Sequence, residues 1–294
     1  MTAGSIFVAT DGRLRAVWRL LLFLALLVVC TVAVFVALGF ALQYVEGLSG
    51  IPGTSETLGL TIALLLAHGI ALRTFDRQPA SYVGLDRAAA KPRVLLFGFV
   101  LGAVPIGAAS LVLIATGQLD VTQAPPGSWW AAAARISILL IPAAFYEELF
   151  LRGYVFATLG AWLGPVATVA LTSVAFGLLH VPNPGGGGSN GLPIVMVTLA
   201  GVYLAVVLLV TRSLYAAWMA HLAWNWVMAV VLHVAVSGLP LPQPGYQLAD
   251  DGPDWLTGGP WGPEGGVVAG AGMFAGLAYL YWRHSRRSHE QLDR

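Results

Sequence analysis

The sequence predicts an all-α polytopic membrane protein of about eight transmembrane helices enclosing a polar cavity. Three observations lead there. Of the 294 residues, 57% are hydrophobic and 10% charged, against roughly a quarter charged in a soluble domain. The apolar residues fall in runs long enough to cross a hydrocarbon layer about 30 Å thick. The charges between those runs alternate in sign from one connection to the next, as the positive-inside rule demands.

The chain opens on a short polar stretch with Arg13 and Arg15, followed by Arg19. The apolar run from about Leu20 to Leu42 exceeds the roughly 7–15 residues of a signal-peptide core and lacks a clear small-residue cleavage site. It reads as an uncleaved first span. Cys30 lies inside it and is the only cysteine, so an intrachain disulfide is excluded and packing is its expected role. Further spans are expected at about 58–73, 94–116, 133–156, 161–180, 192–211, 213–235 and 265–282. The fifth is short and the last is rich in glycine. Only Arg212 and Ser213 separate the sixth from the seventh, so that turn is tight.

With the N-terminus inside, the cytoplasmic segments hold Arg13, Arg15, Arg19, Arg73, Arg77, Arg87, Lys91, Arg93, Arg212, Arg283, Arg286, Arg287 and Arg294. The opposite side holds Glu46, Glu56, Asp120, Asp250, Asp251, Asp254 and Glu264. Both termini are therefore expected in the cytoplasm. Arg135 and Arg152 alone stand outside this scheme. Two connections are rich in chain breakers. One is Val181–Pro193, with four consecutive glycines; the other, 238–264, carries Trp255 and Trp261 and reads as a loop at the outer interface. The ten tryptophans suit interfacial belts, and so few basic residues argue against nucleic acid as a partner.

Organisation follows from these runs. Residues 1–92 hold two spans and a basic loop, 93–235 the core, and 236–294 the outer loop, the last span and a basic tail. No internal repeat is evident. Chemistry gathers between 146 and 225, beginning with Glu147-Glu148-Leu-Phe-Leu-Arg152 inside an apolar run. An intramembrane charge costs about 2.5–3.5 kcal/mol even on lenient scales, so such groups are usually paired, inward-facing and functional. Glu148 and Arg152 are four apart and share a helix face, so they can pair. Glu147 lies about 100° round from its neighbour without a local partner. The expectation is a structural Glu148–Arg152 pair and a Glu147 able to act on water. The plainer alternative is one salt-bridge cluster that packs helices.

Later spans add His180, four residues after Phe176, and His221, four residues before Asn225 and on the same face. His68 and His233 come without such company and read as helix-to-helix hydrogen bonds. A carboxylate, two imidazoles and an amide can hydrolyse an amide bond through water. The base takes a proton, an acid returns one to the leaving nitrogen, and donors face the oxyanion. No serine or cysteine stands beside a histidine in a nucleophile motif, so covalent catalysis is discounted. Glu147, His180 and His221 also form a familiar donor set for a divalent zinc ion, although the HExxH helix is absent. The amide at Asn225 suits an oxyanion better than zinc, which favours the metal-free version.

Glu-Glu-x-x-x-Arg at 147–152, Phe-x-x-x-His at 176–180 and His-x-x-x-Asn at 221–225, in order on membrane helices, resemble the CPBP family. This group comprises type II CAAX prenyl endopeptidases, bacteriocin-processing or bacteriocin-immunity proteins and lysostaphin-resistance-protein-A-like proteins. The resemblance covers about residues 93–235. It implies an intramembrane endopeptidase with Glu147 catalytic, and roles for His180, His221 and Asn225. It further implies an eight-helix fold whose cavity opens to the cytoplasmic side and to lipid, and it leaves metal dependence open. The expected partners are the bilayer and a membrane-associated peptide or protein substrate, CAAX-like or bacteriocin-related.

A composition rich in alanine, glycine and arginine and poor in lysine points to a bacterial inner membrane. Two other classes compete: a non-catalytic binding or immunity protein, and a proton-coupled transporter. Competent residues at all four catalytic positions weigh against the first, and the missing repeat against the second. If spans five and seven are straight, His180 lies near the outer end and His221 near the inner. For them to meet at Glu147, the fifth span must be tilted, displaced or only partly crossing.

Overall fold

The computed structural model describes residues 4–8, 12–42, 53–185 and 191–292. Glu46, Arg294 and the middle of the glycine-rich connector, 186–190, lie outside the described residues. The helices are α1 (Gly4–Phe7), α2 (Ala16–Leu42), α3 (Thr54–Ala71), α4 (Pro92–Ala115), α5 (Trp129–Arg152), α6 (Tyr154–Leu179), α7 (Leu192–Thr211), α8 (Leu214–Trp226), α9 (Asp254–Thr257) and α10 (Val267–Leu292). Single π-turns extend α3 over Leu72–Asp76 and α8 over Val227–Val231. The fold is that of an all-α polytopic membrane protein. Among the described residues six stretches are long and apolar enough to cross a membrane, and the fourth, Trp129–Leu179, runs through both α5 and α6. The last expected span, 265–282, is helical as α10. It is not among the six, because glycines dilute its first half and Arg283 and the polar tail follow.

Apolar side chains such as Val28, Phe40, Leu96, Leu111 and Val166 stand outward on the helices, the arrangement a hydrocarbon solvent favours. The most enclosed candidate span is Leu214–Val231, with 61% of its window buried; the first is the least, at 17%. The helix carrying His221 and Asn225 is thus central, and glycines let neighbours reach it. A Cβ on Gly98 would stand 2.4 Å from the Ala216 carbonyl oxygen, and one on Gly102 1.9 Å from that of Ala220. Small residues bring membrane helices to backbone contact in this way.

The α7–α8 turn is as tight as expected. Arg212 takes the left-handed region (φ 54°) and the Ser213 hydroxyl caps α8 by accepting from the Ala216 amide at 3.1 Å. The break between spans four and five differs from the expectation. It falls at Gly153, so α5 ends at Arg152 and the carboxylates lie near its end instead of its middle. A Cβ on Gly153 would stand 2.1 Å from His68 Nε2. That ring nitrogen accepts the Tyr154 amide at 2.9 Å, while Nδ1 donates to the Leu64 carbonyl at 2.7 Å. His68 therefore ties α3 to the α5–α6 turn. Asp76 fixes the same corner, pairing with Arg19 of α2 and accepting from the Tyr154 hydroxyl.

α6 is not straight. Gly164 is non-helical (φ 78°, ψ 171°) immediately before Pro165. A straight 26-residue helix would separate its ends by roughly 35–40 Å. Instead the chain doubles back, and a Cβ on Gly160 would lie 4.0 Å from the Thr168 hydroxyl. Proline lacks the amide and glycine tolerates the left-handed φ, so this dipeptide makes the reversal.

Outside the helices the long segment between α8 and α10 is built, not loose. Leu119–Gln123 (β1) pairs antiparallel with Tyr246–Asp250 (β2), Leu119 opposite Asp250 and Gln123 opposite Tyr246. His233 stacks on Tyr246 with ring centroids 3.9 Å apart. Trp255 is exposed, but Trp261 is 1% exposed and belongs to the core.

Two glycines of α4 make opposite predictions. Gly102→Ala drives a methyl into the Ala220 carbonyl and should destabilise by about 1–3 kcal/mol, the usual cost of overpacking. Gly107 has nothing within 4 Å of its would-be Cβ, so Gly107→Ala should be neutral or stabilising by up to ~1 kcal/mol. Thermal unfolding of the two variants in detergent compares them directly. Equal melting would contradict the packing described.

Candidate active site

The carboxylates of α5, the end of α6 and the middle of α8 meet in the interior. Glu148 and Arg152, each with a wholly buried side chain, pair at 3.1 Å across one helical turn. Arg152 also donates to the Gly201 carbonyl of α7 at 3.1 Å, and its guanidinium lies 4.3 Å over the Phe176 ring. One cation thus fastens α5 to α6 and α7. The pair was legible from spacing; its reach across helices was not.

Glu148 does more than pair. Its Oε1 also faces His221 Nδ1 at 3.0 Å. Arginine and imidazole therefore converge on a single carboxylate oxygen, and the imidazole is oriented by it. With Nδ1 so engaged, His221 Nε2 points to Glu147 Oε2 at 3.9 Å. His180 follows the last turn of α6, where its Nδ1 lies 2.8 Å from the Phe176 carbonyl oxygen. A carbonyl only accepts, so Nδ1 carries the proton and a neutral ring offers its Nε2 lone pair. That Nε2 is 3.9 Å from the same Glu147 Oε2. Phe176 packs edge-on against His221, centroids 5.7 Å apart, and fixes the gap between the imidazoles.

The Gly164–Pro165 reversal brings His180 to this depth, resolving the mismatch that straight spans would create. Glu147 keeps 26% of its side chain exposed, His180 13% and His221 8%. Glu147 Oε2 is itself buried and accepts no hydrogen bond. A separation of 3.9 Å exceeds a direct hydrogen bond but accommodates a bridging molecule.

Asn225 joins His180 and His221 in the wall of a cavity of about 430 Å³. Glu147 and His180 line a neighbouring cavity of about 790 Å³ with Asn183 and Leu239. Three contributors had no sequence signal. Glu264 and Ser237, from the outer segment, and Trp224 complete the smaller cavity. Glu264, 5% exposed, accepts from Trp224 Nε1 at 2.9 Å and from the Ser237 hydroxyl at 2.8 Å. It is a buried structural carboxylate, not one of the solvated outer-loop charges with which its loop position groups it.

The zinc set can be tested on distance. Tetrahedral zinc with bonds near 2.1 Å separates its donors by about 3.4 Å, less than the 3.9 Å from Glu147 to either imidazole. Among the described residues no group of three histidine, cysteine, aspartate or glutamate side chains is spaced to hold an ion. The residues as arranged do not fit one, and no step below is routed through it.

The buried pair makes a stability prediction. Arg152→Ala strands the Glu148 charge in full burial, a change that typically costs about 3–5 kcal/mol. Removing both charges with Glu148→Gln/Arg152→Met should recover much of that loss. Detergent melting curves report both, and an Arg152→Ala variant as stable as wild type would contradict the pairing.

Residues 128–227 match the family model described as type II CAAX prenyl endopeptidase Rce1-like. No curated protein and no solved structure gives a significant match. The matched segment begins at the N-cap of α5, ends just after α8, and carries Glu147, Glu148, Arg152, His180, His221 and Asn225. Over residues 128–227 the chain is similar to the Rce1-like type II CAAX prenyl endopeptidases.

Proposed function

We propose that the protein is an intramembrane endopeptidase that hydrolyses a peptide bond of a membrane-associated substrate with water activated at Glu147. The observation that carries this reading is the convergence of two imidazole Nε2 atoms on one unbonded, buried carboxylate oxygen, at 3.9 Å each. Water held between Glu147 and His180 loses its proton to the carboxylate, and the oxygen attacks the scissile carbonyl. His180 contributes its Nε2 lone pair to orient that water. His221, held by Glu148, can carry a proton on both nitrogens and donate from Nε2 to the oxyanion, with Asn225 as second donor. The proton taken by Glu147 returns to the leaving amine. Glu148 and Arg152 position and do not react.

The substrate class proposed is a CAAX-like or bacteriocin-related peptide presented at the membrane. The distribution of arginines and carboxylates supports a multi-pass protein of a bacterial inner membrane with both termini cytoplasmic.

The test is cleavage of a fluorogenic prenylated CAAX-type peptide by the purified chain in detergent. Glu147→Gln should reduce the rate by roughly 10²–10⁴-fold, the usual contribution of a general base, and a chelator should leave the wild-type rate unchanged. Undiminished cleavage by Glu147→Gln would overturn the assignment. Loss to the chelator, restored by zinc, would overturn the metal-free mechanism.

A further inference from the structure

A second feature lies away from this site, between α4 and α10. Small residues on α10 leave an apolar groove between it and α4. Leu96, Val100 and Val104 form one wall, and Ala271, Ala275 and Tyr279 the other. The groove runs along the bundle as an acyl chain would.

The groove ends in charge. Arg93 lines it and also lines an adjoining pocket of about 890 Å³ with Arg283, Phe97 and Thr211. Arg283 is not a loosely solvated group: its guanidinium lies 4.1 Å over the Phe97 ring and donates to the Tyr279 hydroxyl at 3.4 Å. Among the described residues neither arginine forms an ion pair with a carboxylate. Two held cations at the mouth of a long apolar slot match a molecule with an anionic head and hydrocarbon tails. Basic pockets between membrane helices at the cytoplasmic face bind anionic lipid headgroups in this way.

We propose that the α4–α10 groove is a binding site for one anionic glycerophospholipid, its phosphate on Arg93 and Arg283 and its acyl chains against α4 and α10. Tyr203 forms part of both this groove and the 430 Å³ site cavity, so the lipid chains would lie against the back wall of that cavity.

Native mass spectrometry of the full chain, titrated with phosphatidylglycerol or phosphatidylcholine of identical acyl chains, tests this. Wild type should retain one phosphatidylglycerol in clear preference to phosphatidylcholine. Arg93→Gln/Arg283→Gln should cut that preference roughly thirtyfold, each cation contributing about fivefold at an anionic surface. Ala271→Phe/Ala275→Phe, which fills the exposed slot without touching the core, should abolish retention of both lipids. Equal retention of the two lipids by wild type, or a preference unchanged in the arginine variant, would overturn the proposal. Displacement of the lipid by glycerol 1-phosphate would also overturn it, by showing a soluble-phosphate site.

Discussion

A guanidinium and a carboxylate with no solvent exposure, on one helix of a membrane bundle, constrain everything around them. Desolvating both charges costs several kcal/mol per ion, and their mutual attraction offsets that only when the remaining hydrogen bonds are also made. Arg152 makes one to the Gly201 carbonyl and lies over the face of Phe176. Glu148 Oε1 takes two, from Arg152 and His221, while Glu148 Oε2 and Arg152 Nε are buried without a protein partner. The pair therefore draws α5, α6, α7 and α8 to one point. The geometry of the candidate site is a by-product: once His221 is bound to Glu148 by one nitrogen, its other nitrogen faces Glu147.

The remaining specialised features serve the same convergence. Gly153 closes the α5–α6 turn directly over His68, and the Gly164–Pro165 reversal shortens the reach of α6 so that His180 arrives beside Glu147. Gly98 and Gly102 let α4 lie on α8 and fix the helix that carries His221 and Asn225. The segment between α8 and α10, which holds β2 and the buried Glu264 and pairs with β1, completes the smaller cavity.

Much of this was readable beforehand because the informative signals were local. The four-residue spacings predicted the Glu148–Arg152 pair and the shared face of His221 and Asn225, and two polar residues between apolar runs predicted the α7–α8 turn. What escaped depended on contacts distant in sequence. Gly153 sits in a continuous apolar run, where a single glycine is tolerated in a helix, so the break was expected a few residues later. Gly164–Pro165 is a breaker dipeptide in plain view, but the apolar run around it reads as one span. Nothing in the neighbourhood of Glu264 shows that Trp224 and Ser237 will enclose it. The role of Glu148 toward His221 spans 73 residues, beyond the reach of any local pattern.

The central claim is that Glu147 acts as a base on water and not as a nucleophile. Single-turnover cleavage in ¹⁸O-labelled water, with mass analysis of the product and of the peptide containing Glu147, examines it directly. Attack by activated water places one ¹⁸O in the new product carboxylate on the first turnover and none in Glu147. An unlabelled first product with ¹⁸O incorporated at Glu147 would contradict the account.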